Sequence, residues 1–188
     1  MLPRSFAVVV AALALVLVST GAASAREVTV GDARHDVWRT NPKAKAPSIR
    51  NGDVVRTQFL HGPRNVVVRS RYVDLRKVGR YAQYTVRIEN GARRYREVMV
   101  ETSRRSRKGS TRVFDRRGDR VGCKATHQIS YRANTVRIEV PRSCLNRPEY
   151  VRGTAASYWA NQSGDIYTDN PHNERPTVRS WTRWISSG

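Results

Sequence analysis

From residue 26 onward the chain alternates apolar and polar side chains with period two, and this pattern constrains the fold more than any other feature. Successive side chains of a strand point to opposite faces of a sheet. Period two therefore sets one face on a core and the other in water. The pattern predicts strands at 27–30, 54–61, 65–74, 81–89, 95–102, 111–114, 120–123, 125–132, 135–140 and 150–160. Turn residues separate them at Asn51-Gly52, His61-Gly62-Pro63, Asn90-Gly91, Lys108-Gly109 and Arg117-Gly118-Asp119. The one helical feature expected is a single turn at 141–145, since Pro141 suits a helix start. Such a series predicts an all-β fold: a single antiparallel two-sheet β-sandwich, jelly-roll or immunoglobulin-like, over residues 26–170. Residues 171–188 are polar and turn-rich and read as a C-terminal tail or a last edge strand.

Two hairpins can be registered from the pattern. A two-residue turn at Ala133-Asn134 sets Tyr131 opposite Val136, Ile129 opposite Ile138 and His127 opposite Val140. The same register brings Cys123 opposite Cys144, so a disulfide is expected to clamp the open end of that hairpin. At Asn90-Gly91 a longer loop is preferred, with Tyr84 opposite Val100 and Val86 opposite Val98, because a one-residue slip would expose the apolar set.

The N-terminus reads as an export signal. Arg4 precedes an apolar run over 6–18, and Ala23-Ser24-Ala25 forms a small-residue cleavage site, so residues 1–25 are expected to be removed. The run is shorter than the roughly 20 residues a membrane-spanning helix needs. A freely secreted protein is expected, with no transmembrane segment. Its two cysteines then suit one disulfide.

The chain carries 35 Lys+Arg against 15 Asp+Glu, a formal charge of +20, which points to anionic partners. Charge is densest around the predicted turns at 104–120. There Arg104, Arg105, Arg107 and Lys108 are the candidates for ionic contacts to phosphate or carboxylate, which the guanidinium fork fits. The bland reading is a solvated face. Tyr158 and Trp159 are candidates for stacking on a sugar, against core packing as the alternative. Asp32 and Asp36, near the start, and Asp165 and Asp169, near the end, are candidate oxygen ligands for a structural Ca2+ if the first and last strands lie side by side. Neither segment has EF-hand spacing, and Asx turns explain them equally well. No other cofactor is indicated. His127 is expected on a core face with its nitrogens satisfied, while His35, His61 and His172 fall in turns. Trp181 and Trp184, flanked by Arg179 and Arg183, also fit a short amphipathic segment on an anionic membrane.

Several segments carry a family likeness. Gly31-Asp32-Ala33 with Asp36-Val37, Asp53-Val54-Val55-Arg56, Val66-Val67-Val68-Arg69 with Tyr72-Val73-Asp74-Leu75-Arg76, and the run 136–145 resemble small exported actinobacterial proteins of uncharacterised function. The arrangement is also similar to DOMON-like sandwiches and family 9 carbohydrate-binding modules over roughly residues 28–170. The resemblance implies a jelly-roll or immunoglobulin-like sandwich and ligand binding. It departs from haem-holding DOMON domains, because Met99 is the sole methionine after Met1 and no Met/His ligand pair matches. The combined expectation is an exported, non-catalytic binding or surface-interaction module for an anionic or carbohydrate polymer. The alternatives are an extracellular nucleic-acid binder, a hydrolase built on a sandwich, and a structural protein without a specific ligand.

Overall fold

The computed structural model describes residues 26–172 and 180–188, so the expected export signal lies outside the described residues. Two antiparallel sheets face each other. In the first, β1 (Arg26–Gly31), β4 (Val54–His61), β5 (Asn65–Tyr72), β10 (Thr135–Pro141) and β9 (Thr126–Ser130) lie side by side in that order. The second runs β3 (Lys43–Lys45), β2 (Trp38–Thr40), β12 (Ile166–Asp169), β11 (Tyr150–Ala160), β6 (Tyr81–Asn90), β7 (Tyr95–Ser103) and β8 (Ser110–Phe114). A two-residue strand, β13 (Ile185–Ser186), pairs with the start of β11. The all-β two-sheet architecture with one disulfide is therefore as the alternation implied.

The core lies between the sheets. Phe59, Val66, Val68, Val136, Ile138 and Val140 project from the first sheet, and Tyr84, Val86, Ile88, Val98, Val100 and Val113 from the second. Apolar contact across the sheets requires one very close approach. A Cβ built on Gly153 of β11 would stand 2.5 Å from Cε1 of Phe59, so the phenyl ring rests on bare backbone.

The β6–β7 hairpin has the expected register, with Tyr84 opposite Val100 and Val86 opposite Val98. The β9–β10 hairpin does not. Val136 pairs with Ile129 and Ile138 with His127, a slip of two residues from the two-residue-turn register. The connection spans 131–134 and closes on Asn134 in the left-handed region, φ 53°. Tyr131 leaves the ladder, its hydroxyl donating to the Arg107 carbonyl at 2.9 Å, while Asn134 Oδ1 accepts from the Leu75 amide at 3.0 Å. A slip of two preserves which face each residue occupies, so the apolar face survives the correction.

Cys123 and Cys144 are bonded, with Cα atoms 5.7 Å apart, but not as a ladder pair. Cys144 lies in a 3-10 turn at Arg142–Leu145, and Cys123 precedes β9. The strand expected at 120–123 is absent: Arg120 makes only an isolated bridge to Phe114 before the chain turns toward the disulfide. Residues 180–188, read from sequence as part of a tail or a last edge strand, return to the sandwich. Ile185 pairs with Val151, and Thr182 Oγ1 accepts from the Gly153 amide at 3.0 Å.

Replacing Gly153 by alanine is expected to cost about 1–3 kcal/mol through overpacking against Phe59. The same change at Gly91, where nothing lies within 4 Å, should be close to neutral. Denaturant melts of the two variants check this, and equal midpoints would refute the close-approach account.

Candidate cation site and cationic surfaces

The chain crosses from the first sheet to the second between β1 and β2, and four aspartates gather at that crossing. Asp32 follows β1 directly, and its amide extends the ladder to the Val55 carbonyl at 3.1 Å. Asp36 sits in the crossing loop, Asp53 stands immediately before β4, and Asp169 is the last residue of β12. One carboxylate oxygen from each of Asp32, Asp36 and Asp169 lies within 4.8 Å of the others. Oxygens on opposite sides of a Ca2+ ion stand about 4.6–5.2 Å apart, given ion–oxygen distances of about 2.3–2.6 Å, so this group fits around one cation.

Backbone amides set the side-chain directions. Asp169 Oδ2 accepts from the Val54 amide at 2.6 Å, a bond between the two sheets, and its Oδ1 accepts from the Asn170 amide. Asp53 Oδ2 accepts from the His35 amide at 2.9 Å, and Asp32 Oδ1 from that of Ala33. This leaves Asp32 Oδ2 and Asp53 Oδ1 buried without a hydrogen-bond partner. Asp53 is fully enclosed, while Asp32 reaches partly to solvent.

Crowding these groups out of water makes their charged forms costly. Burial, then the neighbouring Asp169 and Asp36, push the Asp32 carboxyl up to about 8. Burial raises Asp169 to about 7 against the Val54 hydrogen bond, with Asp36 and Asp53 adding to the rise. Asp53 is raised too, chiefly by burial. The cluster can therefore share protons or hold a divalent cation that replaces them.

The sequence-predicted acids converge in part. Asp32, Asp36 and Asp169 meet as the neighbouring-ends reading required, but Asp165 does not join them. Its amide donates to Asn161 Oδ1 at 2.9 Å, and its Oδ2 accepts from Asn161 Nδ2, which closes the β11–β12 turn. Asp53 lies near enough to add to the rise at Asp169, but the three carboxylates that could surround one ion are Asp32, Asp36 and Asp169. The available signal was a buried-strand start directly after the Asn51-Gly52 turn, which sequence reasoning read only as punctuation.

The basic stretch divides. Arg104 and Arg105 are exposed and, with Arg80 and Gln162, line a shallow recess of about 440 Å3. Arg107 instead turns to the fold, donating to the Gly79 carbonyl at 3.2 Å. The Lys108 carbonyl accepts from His127 Nε2 at 2.7 Å, and His127 Nδ1 accepts from the Thr111 hydroxyl at 2.6 Å. His127 thus has both nitrogens satisfied and joins the edge strands β9 and β8 across the two sheets. His61, placed in a turn by sequence, ends β4 fully buried, with Nδ1 3.0 Å from the Ile185 carbonyl.

Tyr158 and Trp159 are neighbours on β11 and so face opposite sides of the sheet. Trp159 stacks on Tyr167 at 5.3 Å, and its indole nitrogen donates to the Val78 carbonyl. Trp181 and Trp184 clasp the Arg152 guanidinium at 5.2 and 4.8 Å. Arg152 in turn donates to Glu89, as does Arg116. Burial pushes the Glu89 carboxyl up, but the hydrogen bonds from Arg152 and Arg116 hold it below its usual range.

The raised aspartates fix a pH dependence. A carboxyl whose folded pKa exceeds its unfolded value binds protons more tightly in the folded state, so its contribution is complete below about pH 4. It is lost as pH rises through about 7 to 8. In chelator, the melting temperature is expected to fall between pH 5 and 8. A flat or rising profile over that interval would contradict a protonated cluster.

Compared with known proteins, no family model, no curated protein and no solved structure matches the chain.

Proposed function

We propose that the protein is an exported, non-catalytic β-sandwich module that binds an anionic or carbohydrate polymer, and that a structural Ca2+ locks the crossing between its sheets. The observation carrying this reading is the convergence of Asp32, Asp36 and Asp169, with Asp32 Oδ2 buried and unpartnered. Hard divalent cations take oxygen ligands of this kind and draw in waters to complete six to eight. Partly exposed Asp32 supplies the side from which water reaches such an ion.

The hydrolase alternative needs facing carboxylates in an open cleft. Here the facing carboxylates are enclosed: Asp36, Asp53 and Asp169 are buried, which suits holding an ion and leaves no room for a substrate. The histidines likewise serve the fold, as His127 and His61 show. Binding of polymer is supported by the charge of the chain and by the recess at Arg80, Arg104 and Arg105. Export accords with the signal-like N-terminus and with the disulfide.

Ca2+ at about 100 times its dissociation constant should raise the melting temperature at pH 7.5 by about 5–10 °C, and Mg2+ by much less. Asp32→Asn keeps the side-chain shape and the Ala33 contact, so it should remove most of the Ca2+ response while stabilising the metal-free form. Identical curves with Ca2+, Mg2+ and chelator would defeat the proposed metal. For the polymer, Arg104→Ser/Arg105→Ser is expected to elute from an anionic column at lower salt than wild type.

A further inference from the structure

The five-stranded sheet turns a second cationic surface to solvent, on the face away from the core. Its outward side chains form rows across the strands, fixed by the pairing. One row runs Thr29, Gln58, Arg69, Arg137 and Gln128, and the next runs Gly31, Arg56, Arg71, Thr135 and Ser130. Arg56 therefore stands directly opposite Arg71, and Arg69 directly opposite Arg137. Arg132, from the β9–β10 connection, joins them around a cleft of about 490 Å3.

Like charges placed directly opposite each other on a sheet destabilise it. Arg137 is relieved by an ion pair with Glu139. Among the described residues, no carboxylate forms an ion pair with Arg56, Arg69, Arg71 or Arg132, and all four are exposed. The protein therefore keeps four guanidinium groups together at a cost that an external anion would offset. The backbone positions of Arg56, Arg69 and Arg71 repeat with the sheet, about 4.8 Å across the strands and about 6.6 Å between alternate residues along one. A surface charged at such intervals matches an extended chain with an oxyanion on each repeat.

The neutral groups on this face narrow the occupant. Gln58, Gln128, Thr29, Thr135 and Ser130 flank the arginines with amide and hydroxyl groups, which suit the hydroxyls of a sugar chain. Outward positions of the five strands carry no aromatic side chain. Single-stranded nucleic acid is gripped by aromatic stacking platforms, and this face offers none.

We infer that the outer face of the five-stranded sheet, centred on Arg56, Arg69, Arg71 and Arg132, is a binding surface for an acidic polysaccharide, distinct from the recess at Arg104 and Arg105. This rests on the reading of the chain as a polymer-binding module and gives that module its principal ionic surface. Guanidinium forks accept carboxylate and sulfate alike, so the two oxyanions form separate arms of the test.

The test compares wild type, Arg56→Ser/Arg69→Ser/Arg71→Ser and Arg104→Ser/Arg105→Ser for binding to polygalacturonate, dextran sulfate, neutral dextran and a single-stranded oligonucleotide across a salt series. The triple variant is expected to lose at least tenfold in affinity for polygalacturonate, dextran sulfate or both, and the stronger arm identifies the oxyanion. Its dependence of log affinity on log salt should be shallower by about two to three units, one phosphate-like contact accounting for roughly 0.7–0.9. Its melting temperature should equal or exceed that of wild type, because removing opposed like charges leaves the core untouched. If the triple variant binds like wild type while the double variant loses affinity, the surface is overturned and the module reading stands. Binding of none of the four polymers by wild type would overturn the module reading itself, while binding of neutral dextran alone would overturn this inference and leave the module reading standing. Tighter binding of the oligonucleotide, lost in the triple variant, would replace the polysaccharide with nucleic acid and overturn the inference.

Discussion

The hydrogen bond from the Val54 amide to the Asp169 carboxylate ties one sheet to the other, and the end of the sandwich around it depends on how buried negative charge is met. Because Asp169 reaches across the sheets, the crossing loop and the start of β4 are drawn around it, and Asp32, Asp36 and Asp53 arrive with them. An apolar seam here would pack without a partner. An acidic seam makes the joint conditional: it is eased by protons in acid, and near neutrality it has the geometry to take a cation in their place.

Elsewhere the scarce carboxylates do the opposite work. Glu89, Glu97, Glu101 and Glu139 each meet arginine on the sheet faces. Glu89 gathers two guanidinium groups, and Arg152 then lies between Trp181 and Trp184, so one ion-pair centre organises the return of the C-terminal segment. In sequence these tryptophans also fit a short segment on an anionic membrane; the structure engages both with an arginine of β11. Carboxylates that answer arginines stabilise the surface. Those held at the crossing crowd one another out of water, which makes their charged forms costly.

Much of this was legible in the chain. Alternation located the long strands because each buries one complete face, and it set the β6–β7 register because a slip would expose Tyr84, Val86, Val98 and Val100. The slip of two in the β9–β10 hairpin was not legible, since it leaves every side chain on its proper face and is decided by Asn134 docking against residues 73–75. Strands β2, β3, β12 and β13 are two to four residues long and too short to show a period. At the acidic site, Asp32, Asp36 and Asp169 were readable as a group once the ends of the domain were set side by side. Asp53 was hidden because its role comes from the β1–β4 pairing, and Asp165 misled because a tight Asn161–Asp165 turn carries the same residue types as a ligand loop.

The lysines of β3 have a consequence of their own. This three-residue strand, Lys43–Lys45, forms the outer border of the larger sheet. A border strand leaves backbone donors and acceptors free to zip onto the same border of another molecule. Here the border is short, exposed and carries Lys43 and Lys45, which makes such stacking costly. At the opposite border, His127 links β9 to the Thr111 hydroxyl of β8. The short, lysine-bearing border thus discourages the larger sheet from growing edge to edge at that side.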